Sequence, residues 1–147
     1  MKIKGIIFDG CDKTGKDTII HLFNKLTNKT CLLINRGPGS LISYGKHYNR
    51  EVNFEKYYET DKMFSENNFI LIYLTADKKT INKRLIASKD DDIQFSQIEN
   101  IKKEYEEYLK KTKMKTIVVD TSKKNIEETI AYILEEIEKI GENYYIN

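Results

Sequence analysis

The stretch Gly10 to Lys16, GCDKTGK, has the spacing G-x-x-x-x-G-K and constrains this chain more than any other. Ahead of it Ile3, Ile6, Ile7 and Phe8 form a short apolar run that reads as a buried strand ending at Asp9. Behind it Ile19, Ile20, Phe23 and Leu26 recur at helical spacing. A glycine loop between a strand and a helix start is a phosphate cradle for a physical reason. Its glycines let the backbone approach an anion, and the first-turn amides have no helical partner. Gly10, Cys11, Asp12, Lys13, Thr14, Gly15, Lys16, Asp17 and Thr18 are therefore the expected ligands of a nucleotide's phosphates, Lys16 following the β- and γ-phosphates. Asp17 stands where a Ser or Thr commonly follows the lysine, and Thr18 comes next. A carboxylate repels a triphosphate unless a cation lies between them, so Asp17 and Thr18 are the expected Mg2+ ligands, Asp17 directly or through water. Asp17 also suits the positive end of a helix dipole without any metal.

The 147 residues suit one domain, expected over 1–141, with 142–147 a tail that should fray unless Tyr144, Tyr145 and Ile146 dock. A net charge of +2 gives no argument for nucleic acid or an anionic membrane as partner. No apolar run reaches membrane-spanning length, and no leader precedes the first strand, so a cytoplasmic location is expected. Cys11 and Cys31 lack metal-type spacing and read as reduced thiols. Only three of the 25 basic residues are arginines, Arg36, Arg50 and Arg84. With lysine supplying the general surface charge, each arginine points to a place that needs a bidentate fork.

Further along, Cys31 to Ile34 reads as a second buried strand, with Arg36 on the loop that follows it. Pro38 between Gly37 and Gly39 should break regular structure there. Ser40, Tyr44, His47, Tyr48 and Arg50 follow on a helix or part of one, their aromatic rings suited either to stacking on a base or to half-buried packing. Phe54 to Asn67 reads as a structural helix and Phe69 to Leu74 as the third strand. Thr75 or Asp77 should cap the next helix. Arg84 is expected in that helix's last turn, where it suits the dipole, before the polar segment Ser88 to Asp92. Ile98, Ile101, Tyr105, Tyr108 and Leu109 mark another helix, and Thr116 to Asp120 the fourth strand. Asn125 and Glu128 should form the capping pair of the last helix, which Gly141 ends. Four buried strands alternating with helices predict an α/β three-layer sandwich around a parallel sheet of about four strands. Its right-handed crossovers bring Asp9, Arg36, Arg84 and the loop after Asp120 to one edge.

In this order the segments resemble P-loop kinases of the thymidylate kinase and deoxynucleoside (mono)phosphate kinase group, small phage-type members above all. FDGCDKTGKDT is similar to that group's F-E-G-x-D-x-x-G-K-T-T opening, and Lys16-Asp17-Thr18 to the G-K-D-T of phage deoxynucleoside monophosphate kinases. NRGPGSLISYGKHYNR resembles the D-R-x-x-x-S…Y-G segment whose arginine contacts the acceptor and the transferred phosphate. IYLTADKKTINKRL resembles the strand and helix leading to the lid, and IVVDTS the adenine-side loop. Asn35 replaces the group's Asp, and a segment usual between the first helix and the Arg36 strand is missing.

The resemblance implies a Mg2+-dependent kinase with ATP as donor and a small nucleotide as acceptor. Its catalytic residues would be Lys16, Arg36, Arg84 and Asp9, and its acceptor side Arg36, Ser40, Tyr44, Tyr48 and Arg50. A homodimer is implied on the same ground. An ionised phosphate needs no general base to accept a phosphoryl group, whereas a hydroxyl benefits from one. Asn35 therefore favours a deoxynucleoside monophosphate, dTMP or a relative. A hydroxyl acceptor (a deoxynucleoside, or a hydroxymethylated base in DNA) and a catalytically silent nucleotide-binding relative are the alternatives.

Overall fold

Gly5–Asp9 (β1), Leu32–Asn35 (β2), Phe69–Thr75 (β3) and Lys115–Asp120 (β4) form one parallel sheet in the order β2-β1-β3-β4. The computed structural model describes residues 1–89 and 93–147. Its helices are Lys16–Leu26 (α1), Pro38–His47 (α2), Phe54–Glu66 (α3), Lys78–Ser88 (α4), Phe95–Leu109 (α5) and Ile126–Ile140 (α6). In register, Ile6 sits between Leu33 and Ile70, and Ile72 lies beside Ile117.

Side chains alternate across the sheet, and each face finds its own helices. Ile6, Phe8, Ile70, Ile72, Leu74 and Val119 meet Ile19 and Phe23 of α1 and Ile130, Ile133 and Ile137 of α6. Ile7 and Leu71 meet Ile42 of α2 and Tyr108 of α5 on the opposite face. Each of these fully buried side chains contributes about 1.5–3 kcal/mol by leaving water. The result is the expected three-layer α/β sandwich, in which the chain reverses its direction across the sheet after β2. Ligands of such sheets bind at the carboxyl ends of the strands near that reversal. Those ends here are Asp9, Asn35, Thr75 and Asp120.

Several local expectations hold. Asp77 caps α4, its Oδ1 accepting from the Thr80 amide at 2.7 Å. Asn125 and Glu128 cap α6 reciprocally, at 2.8 and 3.2 Å. Gly141 ends that helix at φ 114°.

Others are corrected. Only β1 and β3 are enclosed, because β2 and β4 are the sheet's edges, and Leu32 is 58 % and Val118 49 % exposed. Pro38 opens α2 instead of breaking it. A proline at the first helical position loses no hydrogen bond and already has a helical φ. Arg84 lies a full turn before the end of α4, not in its last turn. Asp90, Asp91 and Asp92 of the expected polar segment lie outside the described residues.

The tail does not fray. Tyr145 and Asn147 exchange backbone hydrogen bonds with Asn28 and Leu26, and Ile146 bridges Thr27 antiparallel. Glu142 Oε1 accepts from the Ile3 amide at 2.8 Å, and Tyr144 packs into the core. The end of α1 leaves backbone groups without helical partners, and the tail satisfies them.

Candidate functional site

The phosphate-loop sequence leaves β1 at Asp9 through Gly10, whose φ of +148° suits glycine alone. A Cβ there would lie 2.3 Å from the Leu74 carbonyl oxygen, so β1 can run this close to β3 only with glycine at the turn. Lys13 and Gly15 also take left-handed backbone, at φ 67° and 85°. The loop wraps a cavity of about 270 Å³ lined by residues 11–18 and Arg36. All nine residues expected from the motif are thus gathered at one place, Gly10 as the turn and the rest as the lining. Cys11 contributes backbone only. Its thiol is packed inside, and burial pushes its pKa up to about 12, so it stays protonated and unreactive.

Lys16 is only 7 % exposed. Its pKa is lowered, chiefly by burial and then by the Arg36 charge, with Asp17, Asp9 and Asp12 opposing. Asp17 lies at the mouth of the cavity, where its Oδ1 accepts from Asn35 Nδ2 at 3.1 Å. Asn35, read from sequence as a missing acid, is here the side chain that holds Asp17 in place.

Arg36 is in left-handed backbone at φ 70°, its amide donating to the Phe8 carbonyl at 2.9 Å. Its guanidinium lies 3.6 Å from Asp12 Oδ1 and 5.3 Å above the Tyr44 ring. It borders the loop cavity and also a larger one of about 530 Å³, shared with Ser40, Leu41, Tyr44, Arg50, Thr60 and Phe64 among others. Ser40, Tyr44 and Arg50 of the expected acceptor side are on this cavity. Tyr48 is not among its lining residues: its ring lies under the Arg50 guanidinium and is 46 % exposed. Sequence reading missed Leu41, Thr60 and Phe64. Thr60 and Phe64 are spaced one helical turn apart, but Phe64 reads equally well as core.

Asp9 is buried and fully engaged. Oδ1 accepts from the Gly10 amide at 2.9 Å and from Tyr105 Oη at 2.6 Å, while Oδ2 accepts from the amides of Gly37 and Ser40 at 3.2 and 3.1 Å. Its pKa is raised by burial, against the lowering effect of Tyr105, of the Gly10 and Gly37 amides and of Lys16. Asp9, expected among the catalytic residues, ties the glycine loop to the Arg36 loop through these bonds, with Tyr105 of α5 as a brace that sequence reading did not single out.

Arg84 borders a cavity of about 200 Å³ that shares Thr14, Gly15 and Thr18 with the loop cavity and adds Thr121, Lys124 and others. Nη1 donates to the Lys13 carbonyl and to Thr121 Oγ1, and Nη2 to the Thr121 carbonyl, each at 3.0 Å. It therefore does not cap α4, and its guanidinium is bonded to the loop backbone and to Thr121.

The fold and loop define a class by architecture, a parallel α/β sandwich with a glycine loop between its first strand and first helix. Among solved structures the chain is similar to the YorR protein of Bacillus subtilis, crystallised with phosphorylated GDP (TM-score 0.73, 22 % identity, 92 % of this chain and 96 % of that one). It is also similar to the thymidylate kinase of Candida albicans (TM-score 0.59, 16 % identity, 99 % and 98 %). A third is the deoxyadenosine kinase of M. mycoides with bound dCTP (TM-score 0.61, 18 % identity, 92 % and 99 %). No protein-family model and no curated protein matches the sequence.

Proposed function

We propose that this protein transfers the γ-phosphoryl group of ATP to a deoxynucleoside monophosphate, with dTMP as the acceptor. The observation that carries this reading is the position of Arg36. One guanidinium borders both the phosphate-loop cavity and the larger cavity beside it, as a group bridging a transferring phosphoryl and an acceptor phosphate must. The structures of similar fold, a thymidylate kinase, a deoxyadenosine kinase and a protein crystallised with phosphorylated GDP, support phosphoryl transfer to a nucleotide or nucleoside in general, the first of them to a monophosphate acceptor.

The loop amides and Lys16 bind the donor's β- and γ-phosphates, and Arg36 neutralises charge as the phosphoryl group moves. An ionised acceptor phosphate needs no base. This agrees with Asn35 being an amide and with Asp9 having both oxygens occupied. None of the described residues lining the larger cavity is acidic, and Arg50 offers only donors. That chemistry suits the carbonyl edge of thymine better than the exocyclic amine of adenine or cytosine. Incubation with labelled ATP, Mg2+ and a panel of nucleosides and monophosphates tests this. Label should appear on dTMP, and Arg50→Ala should lower kcat/KM for dTMP about tenfold while affecting dCMP less. Label on a nucleoside hydroxyl, or on nothing, overturns the reading.

Mg2+ fits the residues present. Among the described residues no group of three or more His, Cys, Asp or Glu is assembled to hold an ion unaided. With Asp12 paired to Arg36, the Asp17 carboxylate and the neighbouring Thr18 on the same lining match an ion held mainly by phosphates. When bound, the ion neutralises the triphosphate. Chelating Mg2+ should then weaken ATP binding more in wild type than in Asp17→Ser, where no like-charge repulsion remains. Calorimetry with and without EDTA checks it, and an equal loss in both proteins removes Asp17 from the metal.

A further inference from the structure

We infer that Thr121 and Arg84 are positioning residues that hold the peptide planes of the phosphate loop, so that its amides face the phosphate site before a nucleotide arrives. This rests on reading the loop as that site. In a trans peptide the carbonyl and the following amide point in opposite directions, and none of the described peptide bonds is cis. A carbonyl held from outside the loop therefore turns the next N–H the other way. Arg84 Nη1 holds the Lys13 carbonyl at 3.0 Å, which orients the Thr14 amide. Thr121 Oγ1 donates to the Thr14 carbonyl at 2.8 Å, which orients the Gly15 amide.

Thr121 has one hydroxyl proton and a choice of two carbonyls. Thr75 O is farther, at 3.3 Å, and already accepts from the Thr121 amide at 2.8 Å. The proton therefore goes to Thr14 O, and an oxygen lone pair accepts from Arg84 Nη1. Arg84 Nη2 on the Thr121 carbonyl fixes the guanidinium in turn. The loop needs such anchors. Lys13 is a non-glycine residue at φ 67°, a conformation it adopts only where its surroundings impose it. The anchors come from α4 and from the exit of β4, 71 and 107 residues away in sequence. A cradle organised during folding does not have to be ordered on binding.

Calorimetric binding of inorganic tripolyphosphate to wild type, Thr121→Val, Thr121→Ser and Arg84→Met tests the inference, with unliganded melting recorded for each. Thr121→Val, which keeps the shape and loses the hydroxyl, should bind roughly tenfold more weakly, the worth of one ordinary hydrogen bond. Thr121→Ser should restore wild-type binding, and Arg84→Met should weaken it. The amide resonance of Gly15 should move most in Thr121→Val and that of Thr14 most in Arg84→Met. Wild-type affinity in both Val and Met variants, or no rescue by Ser, overturns the positioning role alone. Failure of wild type itself to bind tripolyphosphate overturns the phosphate-site reading along with it. If Thr121→Val does not fold, half-exposed Arg84→Met and the Thr14 resonance decide the matter.

Discussion

Lys16→Ala is expected to lower kcat/KM for phosphoryl transfer by at least about 10²–10³-fold, the usual cost of removing a group that stabilises transition-state charge. The unliganded protein should melt within a few degrees of wild type. Burial disfavours the Lys16 cation, and Arg36 repels it, so its removal relieves two costs while depriving Asp9, Asp12 and Asp17 of one favourable neighbour. Those terms oppose each other in the apo protein and add up only against a bound phosphate. The pH dependence follows the same cause. Because the Lys16 pKa is lowered, wild-type affinity for ATP is full below that pKa. It should decline with rising pH before an ordinary lysine would lose its charge. Lys16→Ala should lack this decline. A variant that retains turnover removes Lys16 from the phosphate site, and one that melts far lower makes it a structural residue.

Asp9→Ala is expected to have the largest effect on stability, roughly 3–5 kcal/mol, as when one partner of a buried charged network is removed. It leaves the Tyr105 hydroxyl and the amides of Gly10 and Gly37 without this acceptor, and the Ser40 amide with the Gly37 carbonyl alone. Tyr105→Phe removes a single donor and should cost about 1–2 kcal/mol. Denaturant unfolding of both variants gives the comparison. If Asp9→Ala costs no more than Tyr105→Phe, Asp9 does not join the two loops. If Asp9→Ala folds as wild type but loses turnover, Asp9 acts on the acceptor instead.

The phosphate loop and the core strand beside it were legible because their signals are local. Strand, glycine spacing and helix start occupy one continuous stretch, and the left-handed backbone at Gly10 and Gly15 requires residues visible in the sequence. The α6 caps were legible for the same reason, as Asn125 and Glu128 are three residues apart. Pro38 was misjudged because its effect depends on its position, and only the fold places it at the first turn of α2. Exposure of β2 and β4 was equally hidden, since an apolar run does not state whether a strand has one neighbour or two.

The sequence by itself determined the glycine loop between strand and helix and the layers that support it, because both follow from spacing along the chain. The tertiary structure alone decided which groups Asp9, Asn35 and Arg84 hold. Each of them makes its bonds to groups far off in sequence: Asp9 to Gly37, Ser40 and Tyr105, Asn35 to Asp17, Arg84 to Lys13 and Thr121. A carboxylate with free oxygens and one whose oxygens are filled by donors are the same residue in sequence. They differ in which donors surround the oxygens, and at Asp9 folding places four of them there.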